Sequence, residues 1–353
     1  MSISGVSIVV CTFNGADKLP ETIRHIAGQK VPANIPWEFI IVDNASKDNT
    51  QDVARREWSK YDCKAEFKIV VEPNPGLSYA RSKGFASAKY EFIIMCDDDN
   101  WLNPHYVRLV HEIMVANTNI GALGGKGQLV YQVEPPEWVK SFSVFAGGAQ
   151  APRSGLVTDN TLYGAGCVIR KSGYERLIKN GFRSLLTDRL GKELSSGGDY
   201  ELCYGLVMAG YDIWYDERLT FKHYIPKDRF SEEYYIQYLR ESSKCFEVLE
   251  PYKIICEKKF INFKDFRVMM YKLLFYYMRR YSYMYIVRSF CKKGSVRDTI
   301  LSLRMYSVHR KISLLLNNRK QVFENYKHGR AFEQKFRTKE RNIMVRALES
   351  MVY

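Results

Sequence analysis

Apolar and polar positions change rhythm along this chain. Over the first third, short apolar runs close on turn residues and are followed by helical spacing. Val6-Ser7-Ile8-Val9-Val10-Cys11-Thr12 predicts a buried strand ending at Phe13-Asn14-Gly15. Leu19 to Gln29 carries helical periodicity. Trp37 to Val42 predicts a second buried strand closed by Asp43-Asn44-Ala45-Ser46, and Asp48-Asn49-Thr50 can cap a helix. Phe67 to Val71 and Glu91 to Met95 predict two more strands. Leu77 to Ala88 and Pro104 to Ala116 predict helices, the latter with Pro in its first turn. From Ile120 to about Ile225 the pattern mixes short strands, glycine-rich turns and short helices. From about Ser231 onward it is almost entirely helical.

Strands that alternate with helices imply an α/β fold, with a parallel sheet and helices on both faces. Ligands bind such sheets beyond the carboxyl ends of the strands. Polar residues gather at those ends: Thr12 and Asn14, Asp43, then Asp97, Asp98 and Asp99. The carboxylates of the triplet repel one another, so at least one pKa should rise without a cation. A divalent ion removes that cost. Hard oxygen ligands suit Mg²⁺ or Mn²⁺, which commonly bridge protein carboxylates to substrate phosphates.

Charge divides the chain. Of 53 Lys and Arg and 39 Asp and Glu, 24 and 7 lie from Pro251 to Tyr353, leaving a nearly neutral first part and a strongly basic tail. The eight Cys are scattered with no Cys-x-x-Cys spacing, so neither a zinc site nor a disulfide framework is expected. No basic and apolar leader opens the chain, and no run of about 18 apolar residues is free of charge, so neither a signal peptide nor a spanning helix is expected.

Four segments together resemble glycosyltransferase family 2, whose fold is GT-A. These are Val9 to Asn14, Ile40 to Thr50, Gly76 to Gly84 and the triplet Asp97-Asp98-Asp99 at the family's DxD position; the likeness runs from about Ser4 to Phe230. The resemblance implies a Rossmann-like, mixed but mainly parallel sheet in a catalytic domain over 1–230. It divides into a nucleotide-binding half, 1–118, and an acceptor-binding half, 119–230, and a basic helical region fills 231–353. It further implies that Asp43 binds the nucleotide base, with uracil expected, and that Thr12 and Asn14 line the same pocket. Arg81 would stand near the nucleotide or support the acidic loop. Asp97 would face the ribose and donor, Asp98 would support it, and Asp99 would ligate the metal, with His223 completing the metal shell.

Ser195 to Cys203 resembles the family's Glu-Asp motif, whose Asp takes the proton from the acceptor hydroxyl. Asp199 is that Asp, but Gly198 stands where the family has Glu. Glu201 is a second candidate for that role, on the acceptor side. Leu162 to Arg170 also resembles a family segment. Its small residues, Gly166 among them, would leave room for substrates, and Trp138 could stack on a sugar.

The reading is thus an inverting transfer from a nucleotide-sugar to a glycan or lipid-linked acceptor in surface polysaccharide synthesis. Phe266 to Cys291 and Val296 to Leu316 place Tyr, Phe, Met and Arg at helical spacing, as interfacial helices do. That composition predicts an anionic membrane surface as partner, on the cytoplasmic face of the plasma membrane, and not nucleic acid, whose binding motifs are missing. Two alternatives share the fold. A nucleotidyltransferase would want a glycine-rich basic loop where Cys11 to Gly15 stands. A non-catalytic scaffold would have no use for Asp43, Asp97, Asp99 and Asp199.

Overall fold

The computed structural model describes residues 3–191, 193–257 and 262–350, so the outer limits of the two expected regions, Met1 and Tyr353, lie outside the described residues. The first part alternates as its periodicity predicts. Strand β1 (Ile3–Thr12) is followed by α1 (Leu19–Ala27), β2 (Trp37–Asp43), α2 (Thr50–Trp58), β3 (Glu66–Val71), α3 (Leu77–Ser87) and β4 (Tyr90–Asp97). A short β5 (Asn100–Leu102) and α4 (Tyr106–Ala116) complete this half. Pro104 falls just ahead of α4 rather than in its first turn, because the Tyr106 N–H bonds back to the Asn103 carbonyl at 2.9 Å.

Hydrogen bonding orders the sheet β3-β2-β1-β4 and continues it with strands from the second half: β8 (Val168–Arg170), β6 (Ile120–Tyr131), β9 (Asp212–Ile225) and β5, with β7 (Gly155–Leu156) attached to β9. The pairs β1–β2, β2–β3, β1–β4 and β6–β9 are parallel, and β8 enters antiparallel between β4 and β6. The order reverses between β1 and β4, which is where an open α/β sheet holds its ligand crevice. Register sets Thr12 opposite Asp43 and Cys11 opposite Asp97, so the polar strand ends meet on one rim.

Alternation along the strands divides the core between two faces. Val6, Ile8, Val10, Phe39, Ile41, Phe92 and Ile94 pack one way, against Leu19, Ile23 and Ile26 of α1 and against α4. Each such fully buried side chain contributes about 1.5–3 kcal/mol. Val9, Ile40, Val42, Ile93 and Met95 face the other way, into a cluster that includes Ala80 and Phe85 of α3. Two buried faces explain why these strands read as continuous apolar runs.

Helices α5 (Glu137–Lys140), α6 (Lys171–Lys179) and α7 (Gly198–Met208) belong to the second half. Beyond it lie α8 (Glu232–Ser242), α9 (Phe246–Glu257), α10 (Phe263–Ser289), α11 (Val296–Asn317) and α12 (Arg319–Ser350). Asn262 and Ser295 cap α10 and α11 by accepting the backbone N–H of Asp265 and Asp298. The cluster behind the sheet runs without a break through Leu202 of α7 and Tyr252 of α9 to Phe266, Met270 and Phe336. The basic tail is therefore packed on the α7 side of the first part. Among the described residues, no helix is long and apolar enough to cross a membrane.

Candidate active site

The rim between β1, β2 and β4 is built by loops that tie to one another. Asn14 adopts a left-handed φ of 50°. Its side-chain oxygen accepts the Lys47 N–H at 2.8 Å, and its own N–H donates to Ser46 Oγ at 2.9 Å. Asp43 is buried; its carboxylate accepts the Ser46 N–H at 3.1 Å and the Gln51 amide at 2.6 Å. Each oxygen keeps a further lone pair for a ligand. Asn44, not singled out by motif, donates to the Asn74 carbonyl at 2.7 Å and accepts the Gly76 N–H at 2.8 Å, which anchors the start of α3.

The three carboxylates have three environments. Asp97 ends β4, half-buried, beside Cys11. Asp98 turns inward, accepting Thr12 Oγ1 at 2.8 Å and Lys18 Nζ at 3.2 Å, while its backbone carbonyl accepts Thr22 Oγ1 at 2.7 Å. Burial pushes its carboxyl up, against the pull of Lys18 and Thr12, and the neighbouring Asp99 adds less than burial does. Asp98 thus braces the loop from below, and Thr12 is bound to it. Asp99 is buried; Asn100 Nδ2 donates to it at 3.0 Å, and it lies 3.6 Å from His223 Nε2 and 3.5 Å from Arg229 Nη2. Strand pairing makes this meeting, since Asn100 of β5 is opposite His223 of β9.

These groups fit a divalent cation. His223 Nδ1 lies 3.0 Å from the Ala146 carbonyl, so as donor there it leaves the Nε2 lone pair facing Asp99. That is the usual orienting bond of a metal-ligating histidine. Among the described residues no three His, Cys, Asp or Glu side chains converge on one ion, so the other ligands would be substrate phosphate and water.

Asp199 lies in the first turn of α7, which follows Gly197 at a φ of 114°. The Gly164 N–H donates to its Oδ2 at 2.6 Å and the Tyr200 N–H to its Oδ1 at 2.9 Å. Burial pushes this carboxyl up to about 6, while Arg81 draws it down by a smaller amount. Arg81 itself donates to Asp188 Oδ2 at 2.7 Å. A Cβ at Gly164 would lie 2.9 Å from Arg81 Nη2 and 3.2 Å from Asp199 Oδ2, so this glycine lets the Asp199 carboxylate and the guanidinium share one corner.

Three acceptor-side expectations change here. Glu201 is fully buried and accepts Ser184 Oγ at 2.6 Å and the Leu185 and Leu186 N–H groups at 2.9 and 3.2 Å. It pins a loop and is closed off from an acceptor. Trp138 packs edge-on against Tyr235 with ring centroids 4.8 Å apart, in a satellite core with Ile225 and Phe230. Gly166, with φ 68°, gives its carbonyl to Tyr106 and has no space for a Cβ against Tyr106 and Phe221. The small residue beside Asp199 and Arg81 is Gly164. Asp188 carried no motif, whereas Gly164 and Asn44 lay within family-like segments without being singled out; only the paired glycines before Asp199 hinted that something close occupies their space.

The chain is similar to known proteins in sequence and fold. Residues 7–177 match the description "Glycosyl transferase family 2". The match spans 171 of the 353 residues, from β1 to α6, and takes in both carboxylate stations at the strand ends, so this part of the chain is a family 2 glycosyltransferase domain. A cholesterol galactosyltransferase of Borreliella burgdorferi is 33% identical over 27% of this chain and 25% of its own length. Glycosyltransferase AglE of Haloferax volcanii is 24% identical over 62% of this chain and 64% of its own. The chain spans less than two thirds of the length of these relatives. A mannosyltransferase from Pyrobaculum calidifontis, solved in complex with GDP-Man and Mn²⁺, shares the fold with a TM-score of 0.51 at 16% identity, over 99% of this chain and 80% of that one.

Proposed function

We propose that the protein transfers a sugar from a nucleoside diphosphate, UDP by the chemistry of Asp43, to a hydroxyl of a glycan or lipid-linked acceptor in polysaccharide synthesis. The observation that carries this reading is Asp199, a carboxylate raised to about 6 and held by the Gly164 N–H. It comes together with the strand-end carboxylates in a family 2 chain. The acceptor oxygen bonds to the anomeric carbon while its proton passes to Asp199. The bond from that carbon to the β-phosphate oxygen breaks, and its electron pair leaves with the nucleoside diphosphate, giving inversion. Asp43 accepts from the base, Asn14 and Thr12 shape the loop around it, and Asp97 faces the ribose. Asp99 and His223 would hold Mg²⁺ or Mn²⁺, which supplies positive charge to the departing diphosphate. Arg229 adds a guanidinium beside them. Incubation with UDP-sugars and Mn²⁺ should release UDP, and Asp99→Ala should lose metal-dependent nucleotide binding. Absence of both effects sinks the reading.

The tail supports a place at a membrane. Buried Phe266, Met270, Tyr277 and Met284 form the seam by which α10 docks. The face turned from that seam is open, with Phe275, Tyr283 and Tyr285 exposed at 70, 68 and 64% and Phe290, at the helix C-cap, at 85%. Arg279, Arg280, Lys292 and Lys293 are exposed among them. Aromatics that seek the headgroup boundary, beside cations, match an anionic lipid surface. This reading sets the enzyme on the inner face of the plasma membrane, near lipid-linked acceptors. Cosedimentation with vesicles should require anionic lipid; equal binding to neutral vesicles, or to none, counts against it.

A further inference from the structure

Gly198 breaks the Glu-Asp motif, and the structure shows what fills the place. A Cβ at Gly198 would lie 2.3 Å from Asp188 Oδ2, 2.8 Å from its Cγ and 2.9 Å from its Oδ1. No side chain at 198 and carboxylate at 188 can share that volume. Asp188 is buried and adopts a left-handed φ of 53°, which a non-glycine residue adopts only when its surroundings hold it. Its Oδ1 accepts the Gly198 N–H at 2.8 Å, and its Oδ2 accepts Arg81 at 2.7 Å. The adjacent Arg189 carbonyl accepts the Leu77 N–H at 3.0 Å, clipping the same loop to the start of α3.

We propose that Asp188 replaces the carboxylate absent at position 198 and acts as the positioning residue for Asp199, fixing the first turn of α7 and holding Arg81 off the base. This rests on the reading of Asp199 as the base. Arg81 stands between two carboxylates and can pair fully with only one. Bound to Asp188, its charge supports the corner without neutralising the proton acceptor. Released, it would swing to Asp199, tie up its lone pairs and make it a weaker base.

The electrostatics agree. The groups around Asp199 are Arg81 from α3, Asp188 from the loop, Cys167 at the start of β8, Tyr200 and Cys203 of α7, and Tyr238 and Cys245 behind it. Burial pushes the Cys203 and Cys245 thiols up to about 12 and raises the Cys167 thiol and both phenols. Near pH 6 these are neutral, so Arg81 and Asp188 are the charged neighbours that tune the base.

Two measurements test this, one independent of turnover. In a stability cycle, Gly198→Glu alone should lower the unfolding midpoint sharply, and Asp188→Gly with Gly198→Glu should recover much of the loss. Additive effects would overturn the shared-space claim whatever the activity. In kinetics, Asp188→Asn should keep the UDP-induced thermal shift and the donor KM. It should lose about 10- to 100-fold in kcat. The acid limb of its kcat/KM profile should move to lower pH, because a like charge is gone and Arg81 is freed toward Asp199. The double variant should regain kcat over Gly198→Glu. An unmoved limb and unchanged kcat in Asp188→Asn, with Asp199→Asn inactive, overturns the positioning role alone. Full turnover in Asp199→Asn overturns the base reading and this role with it.

Discussion

The strand-end rim and the C-terminal helices use polar and apolar groups in opposite ways. On the rim, charges are buried and each is answered: Asp98 by Thr12 and Lys18, Asp99 by Asn100, Asp43 by Gln51. On α10 the large apolar groups are exposed, with Phe290 at 85%. Buried charge requires partners or an ion, so the rim is costly to build and exact in its geometry. Exposed aromatics need none to fold. They add little to the monomer. Under the function proposed above, one region serves chemistry and the other adhesion, and variants should separate the two.

The largest effect belongs to the candidate site, at Asp199 of α7. Asp199→Asn keeps the shape and removes the proton acceptor. We expect kcat to fall by about 10²–10⁴-fold while nucleotide binding, read by thermal shift, is retained. The pH dependences check the sign. Activity should be lost as pH falls through about 6, because Asp199 protonates. Stability should run the other way. A carboxyl raised above its ordinary 3.8 contributes stability that is fully present below about 4 and lost as pH rises through about 6. The Asn variant should flatten both curves; if either keeps its inflection near 6, another group titrates there.

Glu201→Ala should cost folding rather than chemistry. It orphans the Leu185 N–H and takes one of two partners from the Ser184 hydroxyl and the Leu186 N–H, around a side chain that is fully buried. An orphaned donor costs about 1–3 kcal/mol, and a loss of that order is expected in denaturant unfolding. An unchanged midpoint with a raised acceptor KM would return Glu201 to the acceptor site. Asp98→Asn is smaller. Asn can still accept from Thr12 and loses only the pair with half-exposed Lys18, so about 1 kcal/mol is expected.

The parts of this molecule legible in the sequence are those set by short-range pattern. Alternating apolar runs located β1 to β4, and the residue after each run became a rim residue, so Asp43 and Asp97 to Asp99 could be found before any contact was known. What pattern could not separate was the three adjacent carboxylates. Asp98 faces in because the hydroxyl of Thr12 on the neighbouring strand, 86 residues away, donates to it. Asp188 was invisible for the same reason: its bond to Arg81 joins residues 107 apart. Glu201 misled because polarity marks a ligand-facing side chain and a packed one alike, and only burial distinguishes them.

The smallest effect on the folded state should come from the tail, and it sharpens the contrast most. Phe290→Ser touches a side chain exposed at 85%, so unfolding should shift by no more than about 0.5 kcal/mol. Turnover on a soluble acceptor should be unchanged, since the catalytic rim draws nothing from that ring. Adhesion behaves differently. A Phe that leaves water on docking contributes about 1.5–3 kcal/mol, so vesicle affinity should fall roughly 10- to 100-fold. Arg279→Ala with Arg280→Ala should weaken binding by about 1 kcal/mol per charge and reduce its salt dependence. If Phe290→Ser instead lowers activity on soluble acceptor and leaves vesicle binding intact, the two regions are not separable, and the aromatic face of α10 serves the catalytic cleft rather than a lipid surface.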